Sequence, residues 1–133
     1  MSTFAEEIRN GFLISTDQKK MDIAFIHKYL NEESYWAKGV PIEIVKKSIE
    51  NSLCFAAHHD GKQIAFARVI SDYTTFAYLA DVFVTDKFRG QGVSRMMMDL
   101  IMKHPDLQDL RRFCLGTRDA HSLYQKYGFK VID

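Results

Sequence analysis

The stretch from Tyr78 to Met98 limits the fold more than any other part of this chain. Residues 78–84 alternate and are rich enough in β-branched and aromatic side chains to form a sheet strand. Lys87, Arg89, Gly90, Gln91 and Gly92 make a short basic turn. Beyond it, Val93, Met96, Met97, Leu100, Ile101 and His104 share one face of an amphipathic helix, read from about Arg89 to His104. A strand, a glycine turn and a helix in this order imply a layered α/β architecture. Such a turn also presents unpaired backbone N–H groups at the positive end of a helix dipole, which is an anion site and above all a phosphate site.

Two familiar phosphate loops do not fit. A P-loop needs Lys and Ser/Thr directly after its second glycine, and Gly92-Val93-Ser94 has no lysine. The dinucleotide fingerprint needs a third glycine where this chain has Arg95. Arg89-x-x-Gly92-x-Ser94 instead resembles motif A of the GNAT superfamily of N-acetyltransferases, with Ser94 in place of the usual Gly or Ala. A second signature follows in the right order. Ala120, Leu123, Tyr124 and Tyr127 fall on one helical face that Gly128 ends. On periodicity alone Tyr124 is a core aromatic. Yet Ala120-x-x-Leu123-Tyr124-x-x-x-Gly128-Phe129 is similar to the GNAT segment in which a tyrosine protonates the departing thiolate. The resemblance runs from about Phe12 to Phe129.

The resemblance implies an acetyl-coenzyme A-dependent N-acetyltransferase acting by direct attack of a primary amine, borne by a small molecule or a peptide. It implies that the backbone of Val82, Phe83 and Val84 holds the pantetheine arm. The pyrophosphate then falls on the amides of Arg89, Gly90, Gln91, Gly92, Val93 and Ser94, with Asp119, Ala120 and Leu123 flanking the cofactor from the last helix. Tyr124 is the expected acid. Asp81, the one carboxylate central in its strand, and a water chain both stand as candidates for the base. Tyr78 is expected on the opposite face from Asp81. Tyr35 and Trp36, with Tyr29 and Tyr78, are candidates for wrapping the acceptor amine; packing as a hydrophobic plug is the alternative for Tyr35, Trp36 and Tyr29. Two rival functions are a non-catalytic acyl-coenzyme A sensor and a nucleotide- or nucleic-acid-binding protein using the basic turn.

The rest of the chain reads β-α-α-β-β-β-α-β-α-β, a mixed sheet with helices on its faces and one domain over residues 1–133. The first strand is Gly11–Thr16, and Thr16 or Asp17 caps a helix through about Asn31. Phe129–Asp133 is the last strand, short enough that a neighbouring subunit in a homodimer could complete the edge. A net charge of +1 gives no field that favours nucleic acid or membrane. No apolar run approaches the roughly 20 residues of a membrane span. Cys54 and Cys114 lie in separate apolar strands and suit a reducing compartment, so the cytoplasm is expected. The five histidines lack ligand spacing, and no metal is expected.

Overall fold

Asn10 and Gly11 both sit at positive φ, 51° and 81°, the backbone of a two-residue hairpin turn. They join β1 (Glu6–Arg9) to β2 (Phe12–Ser15) with Arg9 opposite Phe12. The sequence reading has no strand before Gly11. Its miss has a physical cause: β1 is an edge strand of mainly polar, exposed residues and carries no alternation to detect. The computed structural model describes residues 4–117 and 120–130.

Six strands lie in the order β1-β2-β3-β4-β5-β6. β3 is Leu53–His59, β4 Lys62–Ser71, β5 Phe76–Val84 and β6 Arg112–Leu115. All neighbours are antiparallel except β5 and β6. Helices α1 (Ile23–Glu32) and α2 (Ile42–Glu50) cover one face over Phe66, Phe83, Cys54 and Ala56. Helix α3 (Val93–Lys103) lies on the other face over Ile14, Phe55, Ala67 and Leu79, and Tyr124 of α4 (His121–Gln125) joins the same core. This is the mixed α/β architecture expected.

Boundaries differ where local hydrogen bonds compete with a helix. Asp17 caps only a single 3-10 turn, accepting from the Lys19 N–H at 3.0 Å. The chain is then pinned to the sheet by His58 on the Lys20 carbonyl and Gln63 on the Asp22 N–H. Asp22 is the true cap of α1, accepting from the Phe25 N–H at 3.0 Å. Helix α3 starts at Val93 rather than about Arg89, because Gly90 and Gly92 hold φ of 80° and 81°. Phe129 and Lys130 are not strand; residues 131–133 of the expected last strand lie outside the described residues.

β5 changes character at Asp81. Phe66 pairs with Phe83 and Arg68 with Ala80, so Asp81 and Val82 together face the single residue Ala67. This is a β-bulge, with Asp81 in the left-handed region at φ 55°. An unbroken strand would place residues 79, 81 and 83 on one face. The extra residue instead leaves Leu79 in the α3 core and moves Phe83 into the α1–α2 core.

Candidate functional site

β6 pairs with β5 from Phe76 to Leu79 and no further. From Ala80 to Val84, among the described residues, β5 pairs with β4 alone, and β5 and β6 part at the bulge. The Thr85 N–H donates to the Ile64 carbonyl of β4 at 3.0 Å. By strand alternation the polar groups of Val84 and Val82 therefore face the open edge. The Val84 carbonyl there accepts from Arg89 Nε at 3.0 Å. Phe83 is buried, and its side chain stacks on Tyr29 with ring centroids 3.8 Å apart.

The turn after β5 leads straight to the start of α3. No side chain caps the helix at Gly92, so its first amides are left without an intrahelical or capping partner. A Cβ at Gly92 would meet nothing closer than Met96 Cε at 3.9 Å, so the backbone angle requires glycine there rather than lack of space. Val93 is buried beneath the turn and Ser94 half-buried. Of the nearby cations, Arg89 is fully engaged: besides Val84 it bonds the Tyr29 hydroxyl at 2.8 Å and Asp86 at 2.6 Å. Tyr29, a candidate for the acceptor side, also supports this turn through that bond. Gln91 Nε2 reaches the Lys87 carbonyl at 3.5 Å, and Lys87 lies over the Phe88 ring.

Tyr124 is buried, its ring 6.2 Å from that of Phe129. Burial, and then the neighbouring Tyr35 phenol, push the Tyr124 phenol above its ordinary value, so it remains protonated at neutral pH. Ala120 and Leu123 pack against the same core. Tyr127 fastens α4 to α3 through Asp99 Oδ1 at 3.0 Å. Asp119, the remaining expected cofactor residue, lies outside the described residues. A groove of about 680 Å³ between β6 and α4 is lined by Phe113, Leu115 and Tyr124, among others.

Asp81 is the centre of a short polar chain. Its Oδ2 accepts from Arg68 Nε at 2.8 Å and its Oδ1 from Trp36 Nε1 at 2.8 Å; Arg68 Nη1 reaches Ser52 Oγ at 3.1 Å. The Arg68–Asp81 pair is largely buried. Ile70 faces Tyr78 and Arg68 faces Ala80 across the β4–β5 pair, so these four share a face. The bulge turns Asp81 to that same face, which corrects the expected separation of Asp81 from Tyr78. Trp36 packs edge-on against Tyr35, ring centroids 5.0 Å apart. The loop between α1 and α2 therefore touches Asp81 through Trp36, with Tyr35 packed beside it.

Sequence reasoning passed over Arg68 and Ser52. A signal for Arg68 was present: a lone charge inside the apolar run Ile64–Ile70 requires a partner, as Asp81 does in the adjacent strand. Nearby Cys54 is 1% exposed, and burial pushes its thiol up to about 12, which makes it inert as a nucleophile at neutral pH. Among the described residues no group of three or more His, Cys, Asp or Glu could hold a metal. No described helix is long and apolar enough to cross a membrane.

The family profile described as "Acetyltransferase (GNAT) domain" matches residues 50–131, more than half of the chain. A crystal structure from Xanthomonas campestris pv. campestris, assigned to the GNAT family of acetyltransferases, is 54% identical with a TM-score of 0.90, over 91% of this chain and 85% of that one. A Gibberella zeae protein described by name as an acetyltransferase is 26% identical over 89% of this chain and 78% of its own length. An acetyltransferase structure from Clostridium acetobutylicum containing acetyl-coenzyme A shares the fold at 17% identity, with a TM-score of 0.69 over 98% of this chain and 91% of that one.

Proposed function

This chain belongs to the GNAT acetyltransferase family, and we propose that it transfers the acetyl group of acetyl-coenzyme A to a primary amine by direct attack. The observation that carries this reading is the parting of β5 from β6 after Leu79, with Asp81 and Tyr124 on either side of it. Trp36 bonds Asp81 just beyond the point where β5 and β6 part, and Tyr124 lines a groove with Leu115, the last β6 residue paired to β5. The uncapped start of α3, preceded by two left-handed glycines, fits a pyrophosphate. The open edge at Val82 and Val84 fits an extended amide-bearing arm, with Phe83 between them in the strand and Ala120 and Leu123 packed on the α3 side of the sheet.

When bound, acetyl-coenzyme A supplies a thioester carbonyl activated towards amines. The Val82 N–H, facing the open edge, is the donor for negative charge developing on that carbonyl oxygen. Asp81 orients the amine. Its charge is already paired with that of Arg68, so the nitrogen's surplus proton goes to water. The carbon–nitrogen bond forms, the carbon–sulfur bond breaks, and Tyr124 gives its proton to the sulfur. Cys54 is too deeply buried and too weak an acid for a route through an acetylated cysteine.

Thiol release from acetyl-coenzyme A with an amine panel, on wild type and Tyr124→Phe, tests the reading. Loss of the acid should lower kcat about a hundredfold or more, with cofactor affinity by titration calorimetry unchanged. Equal kcat in the two proteins returns Tyr124 to the core. Tight cofactor binding without turnover on any amine favours the acyl-coenzyme A sensor.

A further inference from the structure

Helices α1 and α2 cover only part of their sheet face. Phe66 and Phe83 are sealed beneath them, while Ile70 and Tyr78, cross-strand partners further along, are 41% and 38% exposed. Asp81 lies at the border between the covered and open parts, held from below by Arg68. Above it the exposed Trp36, from the α1–α2 loop, donates to the carboxylate through its indole N–H. An aromatic ring half in solvent thus occupies the one carboxylate oxygen that Arg68 leaves free.

On the acetyltransferase reading above, we infer that the acceptor is a primary amine carried on a flat apolar body, and that its N–H takes the place of Trp36 at Asp81 Oδ1. Three observations converge on this class. The group already at Oδ1 is a neutral N–H donor on a flat ring, so the site accepts that chemistry. The open surface beside it is aromatic and aliphatic, Tyr78 and Ile70, which suits a ring rather than a sugar. The other charge in the chain is Arg68, a cation that opposes a polycationic acceptor and favours the neutral form of a bound amine, the form that attacks. Arg68 is a positioning residue: its Nε fixes one carboxylate oxygen while its Nη1 is anchored on Ser52.

The test compares 2-phenylethylamine, spermidine and kanamycin as acceptors for wild type, Trp36→Phe, Asp81→Asn and Arg68→Lys, with acetyl-coenzyme A affinity measured in parallel. We expect 2-phenylethylamine to have the highest kcat/KM. Trp36→Phe keeps the ring but deletes the competing donor, so KM for 2-phenylethylamine should fall about three- to tenfold. Its cofactor affinity should be unchanged. Asp81→Asn should raise that KM. Arg68→Lys, which keeps the charge but loses the fork, should raise it without changing cofactor affinity. Turnover confined to spermidine or kanamycin overturns the inference, as does turnover of none of the three or an unaltered KM in Trp36→Phe. Turnover of spermidine or kanamycin, or an unaltered KM, leaves the acetyltransferase reading standing; acetyl-coenzyme A binding with turnover of none of the three counts for the sensor instead. Absence of acetyl-coenzyme A binding by wild type removes both.

Discussion

Over Phe76–Leu79, β5 has a strand on each edge, regular alternation, and side chains that either enter the α3 core or face the open sheet. Over Ala80–Val84 it has β4 alone, a bulge, a left-handed aspartate and backbone groups facing an unpaired edge. The two halves are continuous in sequence yet do different work. The first closes the sheet, and its polar groups are satisfied within it. The second turns backbone groups to an edge where, among the described residues, no strand pairs them and the Val84 carbonyl is met by Arg89. The bulge separates the two: it ends the regular register and turns Asp81 to meet Arg68.

Substitutions in the two halves should therefore fail differently. The largest effect belongs to the closed half. Leu79 is 3% exposed, and Leu79→Ala should cost about 2–5 kcal/mol of stability in denaturant unfolding. The folded fraction should keep its acetyl-coenzyme A affinity; a selective loss of affinity would blur the division. On the open side, Gly92→Val forces a β-branched residue to φ 81° at the start of α3. Strain and displaced amides together are worth about 3 kcal/mol, roughly a hundredfold in acetyl-coenzyme A affinity by calorimetry. Retained affinity would detach the pyrophosphate from this turn.

A smaller effect distinguishes scaffold from site by pH. Lys20 holds the Glu6 carboxyl, and Arg9 the Asp99 carboxyl, below their ordinary values. A folded value below the unfolded one adds stability above about pH 4, lost as pH falls through the folded value. Asp99→Asn should flatten that acid limb in thermal unfolding and leave cofactor affinity at pH 7 unchanged. An unaltered limb would show that these pairs contribute nothing measurable, as exposed pairs often do.

What could be read from the sequence followed the same division. The face of α3 and the glycine turn were legible because both are local: helical spacing and two glycines lie within a few residues of each other. Tyr124 was legible as part of a motif on one short segment. Strand β1 was not, since a polar edge strand lacks alternation, although Asn10-Gly11 is a strong hairpin signal. The chain Trp36–Asp81–Arg68–Ser52 was also hidden. It depends on a bulge, and strict alternation assigns Asp81 to the wrong face. The contacts of Tyr29 with Phe83 and Arg89 were hidden for a related reason: they follow from Phe83 changing faces.

The central claim is that the open half of β5 and the start of α3 form the bed for acetyl-coenzyme A. Backbone amide NMR shifts on titration with acetyl-coenzyme A test it most directly. The account predicts the largest changes at Val82, Val84 and residues 92–95, with Phe76–Leu79 nearly still. Changes centred instead on Phe113–Leu115 and Phe129, along the groove between β6 and α4, would contradict it.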